Sequence, residues 1–300
     1  MQDLLYRYTW LLNTIYQANG ITFDEINEKW MSRNNNDTNI IPKKTFHTHK
    51  RKIEDLFDIN IVCRKEGKNY YYYIENPECL NSTTSKFLDA FYIKQLTKES
   101  VKLQDRILLE QIPENSSSLF EIADAMLESR TLNIEYQSFW SENSSVIQIE
   151  PYALKYFKQR WYVLSHNVDK NSFRIYALDR IIECHRTTQS FELPVGFSAE
   201  EYFKHNYGII VNDDEYDIED FVIKAYGNQR YYLNSLPLHP SQKEIETQKD
   251  FSIFSYRLRF SYDLHQEILS DGATLEILKP EWYRRKVKED LEKSLIYYLD

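Results

Sequence analysis

The sequence predicts an α+β chain of several domains. Three observations carry that expectation: three helical patterns followed by a hairpin within the first 76 residues, short alternating strands through the middle, and strands interleaved with helices at the end. A length of 300 residues fits two or three domains at roughly 100–200 residues each.

In the first helix Leu4, Leu5, Tyr8, Leu11, Leu12, Ile15 and Tyr16 recur at helical spacings, and Gly20 ends it. Thr22 and Glu25 form a capping box that opens a second helix through Phe23, Ile26 and Trp30. The polar run 34–39 reads as a loop, and Pro42 suits the first turn of a third helix reaching to about Phe57. Ile59–Cys63, a turn through Arg64–Asn69, and Tyr70–Ile74 read as strand, turn, strand. This is the order of a winged helix-turn-helix, expected over 1–76. In the Tyr70–Tyr73 run, alternate tyrosines are expected to face the core.

A helical connector is expected over 77–118, with a Ser116–Ser118 break before a short helix at 119–130. Alternation at 132–136, 146–150, 161–164 and 173–178 then predicts a small barrel or strongly curved sheet, within a domain at 119–195. An acidic stretch from Asn212 reads as a solvated linker that includes Glu219 and Asp220. The final domain, 215–300, reads as a small α+β sandwich ending in a helix over 280–298.

Composition excludes several classes. With 42% hydrophobic and 28% charged residues the chain is not globally disordered. Six glycines, about 2% against an average near 7%, argue against glycine-rich phosphate loops. No run approaches 18 apolar residues, so no membrane partner is expected, and the first 20 residues lack a secretory pattern. Cys63, Cys79 and Cys184 are odd in number and widely spaced, which fits neither a disulfide framework nor a zinc site; a cytoplasmic, reduced protein is expected. No motif with catalytic spacing occurs, so no catalytic residue, metal or cofactor is expected. Cys184 and His185 are neighbours and would point to opposite faces of a strand.

The net charge of −9 argues against nucleic acid only until its distribution is considered, because salt screens charges beyond about 10 Å at 0.1 M. Residues 42–52 hold five cations and no acid. At about 100° per residue Phe46, His49, Ile53, Leu56 and Phe57 share an inward face, while Lys44, His47, Thr48 and Arg51 lie opposite, flanked by Lys43 and Lys50. A basic helix between a capped helix and a hairpin stands where a recognition helix would. Lys43, Lys44, His47, Thr48, Lys50 and Arg51, with Lys68 at the hairpin tip, are therefore the candidate DNA-binding residues.

A second basic segment spans 150–186, with net charge +3 and interleaved tyrosines, a composition suited to phosphates and stacked bases. Its Glu150-Pro151-Tyr152-Ala153-Leu154-Lys155-Tyr156-Phe157-Lys158-Gln159-Arg160-Trp161-Tyr162-Val163-Leu164 and Leu178-Asp179-Arg180-Ile181 stretches resemble the WYL-domain family of bacterial transcriptional regulators. Trp161 and Tyr162 match the namesake residues; Val163 stands where leucine is usual. The resemblance implies a winged helix, a central Sm-like β-barrel, a C-terminal extension, and a homodimer on a double-stranded DNA operator. It further implies that the barrel senses a nucleic-acid or nucleotide-type effector. The candidate effector-binding residues are Tyr152, Lys155, Arg160, Tyr162, Arg174 and Arg180. The alternative is an accessory protein that binds RNA or single-stranded DNA and modulates a partner enzyme.

Overall fold

The computed structural model describes residues 2–33, 40–77, 80, 116–212 and 214–299. The expected loop at 34–39, Cys79 and most of the expected connector over 77–118 lie outside them. The chain is a mixed α/β protein with three antiparallel sheets among the described residues. It divides into two compact units, Met1–Glu110 and Gln111–Asp300.

The first unit contains α1 (Gln2–Ala18), β1 (Ile21–Thr22), α2 (Phe23–Arg33), α3 (Lys43–Phe57), β2 (Ile61–Glu66) and β3 (Asn69–Ile74). The strands form a sheet in the order β1-β3-β2. Leu11, Leu12 and Ile15 of α1 are buried against Ile26 and Trp30 of α2, Phe46 and Ile53 of α3, and Tyr72 of β3. Gly20 turns the chain out of α1 with φ +122°; a Cβ there would lie 2.4 Å from the Tyr73 ring, so only glycine fits. The capping box forms as expected: Thr22 N–H donates to Glu25 Oε2 at 2.8 Å, and Glu25 N–H to Thr22 Oγ1 at 3.2 Å. Asn27 ties α2 to the entry of α3 by accepting the Ile41 N–H at 2.8 Å. Pro42 precedes α3, and Asp58 ends it in the left-handed region at φ 52°. Leu56 departs from the expected inward face: Phe57 packs against the core, and Leu56, on the last turn, is 57% exposed.

The second unit opens with α4 (Ser116–Leu127). Ser116–Ser118 form its first turn rather than a break; short polar residues suit a helix start as well as a loop. There follow β4 (Arg130–Tyr136), β5 (Ser145–Phe157), β6 (Arg160–Asn167), β7 (Ser172–Ala177), a 3₁₀ turn (Leu178–Arg180) and β8 (Ile181–Ser190). Their order is β7-β6-β5-β4-β8. The expected closed barrel is not found. β7 and β8 stand at opposite edges of the sheet, and no ladder joins them among the described residues. Ile122 and Ala125 of α4 are fully buried against one face, with Leu132, Ile134, Ile149 and Val163.

After α5 (Ala199–Phe203) come β9 (Ile218–Tyr226), α6 (Gln229–Ser235), β10 (Lys243–Thr247), β11 (Phe251–Arg259), α7 (Tyr262–Ser270), β12 (Leu275–Lys279) and α8 (Glu281–Ile296). The sheet order is β10-β11-β9-β12, with Phe221, Phe254, Tyr256 and Tyr283 in its core. Glu219 and Asp220 belong to β9 rather than to a solvated linker. Glu219 accepts the Trp282 Nε1–H at 3.1 Å, and Asp220 pairs with Arg257 at 3.2 Å. No described helix is long and apolar enough to cross a membrane.

Candidate functional site

The basic face of α3 follows from its packing. Phe46, His49 and Ile53 anchor one side in the core, which leaves Lys43, Lys44, His47, Thr48 and Arg51 exposed on the other. Lys50 is half-buried and lies 2.8 Å from Glu54 Oε1, the oxygen that also accepts the Ile61 N–H. Thr48 Oγ1 donates back to the Lys44 carbonyl at 3.1 Å. Lys68 stands at the tip of the β2–β3 hairpin, where Gly67 at φ +61° makes the tight turn. A cleft of about 470 Å³ lies between α3, the hairpin and the start of α2, lined by Lys43, His47, Lys68 and Tyr70 and, from α2, by Asp24. Helix and hairpin thus present cations to one groove.

His49, beneath this face, packs edge-on against Tyr8 at 5.1 Å between ring centroids. Burial, then the nearby Arg7 guanidinium, hold its imidazole below the usual histidine range.

The second candidate region sits at the end of β6. Leu178 is buried in the core, and the 3₁₀ turn it anchors carries Asp179 and Arg180. The Arg160 guanidinium lies 3.2 Å from Asp179 Oδ2. The Arg180 guanidinium covers the Phe139 ring at 3.6 Å from its centroid. Arg180 Nε is buried and has no hydrogen-bond partner among the described residues. Tyr162 sits among these charges, its phenol pushed above the usual range first by burial. Arg160, Tyr162 and Arg180 therefore form one group that can hold an anion, with Asp179 orienting the first arginine.

The remaining predicted effector residues do not join it. Lys155 lies opposite Tyr162 in the β5–β6 register, yet its ammonium donates to the Gly208 carbonyl and covers the Phe203 ring at 3.8 Å. Tyr152 is only 8% exposed, packs against Phe173, Phe191 and Phe197, and donates to Glu150 Oε2 at 2.8 Å. Glu150 in turn holds His166 Nδ1 at 3.1 Å. Tyr152 is a packing residue. Arg174 is exposed and shares the strand face of Tyr176, whereas Lys155 and Tyr162 occupy the opposite face.

Sequence reasoning missed the loop at 137–144. Gln137 N–H donates to the Arg180 carbonyl at 3.0 Å, and Trp140 N–H to Ser138 Oγ at 3.3 Å. The loop carries Phe139 beneath Arg180 and leaves Trp140 94% exposed. Two adjacent aromatics inside a polar run were the available signal. Cys184 packs toward the core, where burial pushes its thiol up to about 12, while His185 points out and meets Glu183 at 3.2 Å. Among the described residues no three His, Cys, Asp or Glu side chains group to hold a metal ion.

No curated protein matches the sequence. The solved structures to which the chain is similar include two at low identity. Proteasome accessory factor B/C (PafBC) of Arthrobacter aurescens is 16% identical, with a TM-score of 0.37 over 94% of this chain and 46% of that one. The present chain thus spans less than half the length of that protein. A CRISPR Cas-related protein is 11% identical, with a TM-score of 0.39 over 99% of this chain and 84% of that one. Residues 117–186, which run from α4 through the Arg160–Asp179–Arg180 group, match the family model of the WYL domain, and the chain carries a WYL domain.

Proposed function

We propose that the chain is a ligand-responsive, DNA-binding transcriptional regulator. The observation that carries this reading is the exposed row Lys43, Lys44, His47 and Arg51 on α3, of which Lys43 and His47 share a cleft with Lys68 of the hairpin. In this reading the first unit is a winged helix-turn-helix. Its α3 enters the major groove, and the hairpin contacts the adjoining backbone. Lys50, held by Glu54, supports the helix and stays off the DNA. A homodimer would read two half-sites a whole number of helical turns apart.

The WYL domain is the sensor, with Arg160, Tyr162 and Arg180 as the residues that take a phosphate of a nucleic-acid or nucleotide-type effector. The unpartnered Arg180 Nε supports this, because a buried donor without an acceptor is costly unless a ligand supplies one. The Phe139 ring against it and the exposed Trp140, next in the chain, offer faces on which a base can stack. No catalytic step is proposed; turnover of DNA, RNA or ATP that tracks the purified protein would contradict this.

Selection of bound fragments from sheared genomic duplex DNA tests the reading. Recurrent, near-palindromic duplex sites are expected. Retention of single strands only, without duplex enrichment, would favour the accessory-protein alternative instead.

A further inference from the structure

A cavity of about 620 Å³ lies in the second unit, and Arg160, Tyr162 and Arg180 do not line it. Its walls come from three parts of the chain: Lys155 and Phe157 of β5, the segment around Phe203, and the turn at Leu238–Ser241 before β10. The size is that of a site for a small organic molecule, and such sites combine apolar walls with a few placed polar groups.

The walls here are mostly carbon, from Phe157, Phe203 and Leu238, and the placed group is Lys155. Its side chain is largely withdrawn from water, and no carboxylate lies within ion-pair distance of it among the described residues. The carboxylate that acts on it from further away, Asp263, uses Oδ2 to accept the Ile209 and Ile210 N–H groups at 2.8 and 3.0 Å. A buried ammonium carries three N–H donors, and Lys155 gives one to the Gly208 carbonyl. Burial pulls its pKa down to about 8, so it is still mostly charged at pH 7. The half-buried Lys155 charge meets the Gly208 carbonyl and the Phe203 ring face but no carboxylate within ion-pair distance among the described residues, and an anion entering the cavity offsets the cost of its desolvation.

The cavity borders other ionisable side chains. Lys204 pairs with Glu201 at 2.9 Å, and Glu200 also borders the space. His239 accepts the Ser241 N–H on Nδ1 at 3.2 Å, and burial pulls its pKa down to about 4, so it is neutral. His205 spends Nδ1 on the Arg257 carbonyl at 3.2 Å. With Lys204 paired to Glu201, the charges left at the cavity are Lys155 and Glu200, and the Lys155 ammonium is the cation placed among the apolar walls.

We propose that this cavity binds a small organic monoanion, a carboxylate or sulfonate on an apolar body, with Lys155 holding the acid group and Phe157, Phe203 and Leu238 holding the body. A phosphate dianion would leave one charge unmatched. Because the walls come from the WYL sheet, the connecting segment and the four-stranded module, an occupant would tie the three together. The inference does not depend on the effector assignment to Arg160 and Arg180.

The test uses the full chain and 8-anilinonaphthalene-1-sulfonate, a fluorescent monoanion on an aromatic body. Its fluorescence is titrated at pH 7, with decanoate and decan-1-ol as competitors. The expected result is saturable binding that decanoate displaces and decan-1-ol does not. Measured in an Arg180→Ala background, so that the Arg160–Arg180 group does not take the dye, Lys155→Met should weaken binding tenfold or more and Leu238→Trp should weaken it by filling the space. Near-UV circular dichroism checks the fold of each variant, and if Lys155→Met fails to fold, Leu238→Trp with the two competitors decides. Binding equal to that of the Arg180→Ala background by folded Lys155→Met, or by Leu238→Trp, would overturn the proposal. So would equal displacement by decan-1-ol, which would mark a merely apolar surface. Loss of binding in Arg180→Ala would overturn the separation of the two sites.

Discussion

The Lys50 ammonium lies 2.8 Å from Glu54 Oε1, one turn further along α3, and the same oxygen accepts the Ile61 N–H at 2.8 Å. One carboxylate thereby fastens the basic helix to the first strand of the hairpin. Glu54→Ala should destabilise the first unit by about 1–3 kcal/mol, because it leaves the partly buried Ile61 N–H without its acceptor. Lys50→Ala should cost less, since isolated ion pairs at this spacing contribute about 0.3–0.5 kcal/mol. Thermal unfolding of both variants checks the order. Equal, negligible losses would mean that the carboxylate does not hold the hairpin.

His49 predicts a pH effect beneath the same helix. Its folded-state pKa is lowered by burial and Arg7, so the unfolded chain binds a proton more readily than the folded one. Stability then rises with pH across the window between the two values, and falls as pH drops below about 6.5. His49→Phe, which keeps a ring against Tyr8, should flatten this contribution relative to the parent between pH 7 and pH 5. Chemical denaturation of parent and variant at both pH values is the check. An unchanged difference between them would show that His49 gains no proton on unfolding.

The Arg160–Asp179–Arg180 group predicts separable sensing. Arg160→Ala and Arg180→Ala should each cost about 1.5–3 kcal/mol in the binding of a short single-stranded oligonucleotide, the loss typical of a hydrogen bond to a charged group. Operator affinity without effector, and the melting temperature, should stay near the parent values. Retained oligonucleotide binding in both folded variants would place the effector elsewhere.

Sequence periodicity carried the helices and the hairpin of the first unit because each element there announces its own ends. Thr22 and Glu25 cap α2, Pro42 opens α3, and Gly67 makes the hairpin turn. The exposed row on α3 was legible for the same reason: one helix sets it, through the burial of Phe46, His49 and Ile53. The effector region was legible only in part. Which face a strand residue occupies depends on register, and register depends on bulges such as the one between Pro151 and Ala153 in β5. Tyr152 thus went to the aromatic cluster and Arg174 to the opposite face from Lys155, which no spacing along one strand could reveal. The open edges of the five-stranded sheet have the same origin, since closure depends on pairing between distant strands.

The central claim is that α3 carries duplex affinity through its exposed cations. It is tested most directly by the salt dependence of duplex binding in Lys44→Ala, Arg51→Ala and the double variant. Each phosphate contact adds about 0.9 to the slope of log affinity against log salt, so the double variant should lose about 1.8 and bind more weakly at every salt concentration. A slope and an affinity equal to the parent's, in a double variant that folds normally, would contradict the assignment of α3 as the DNA-binding helix.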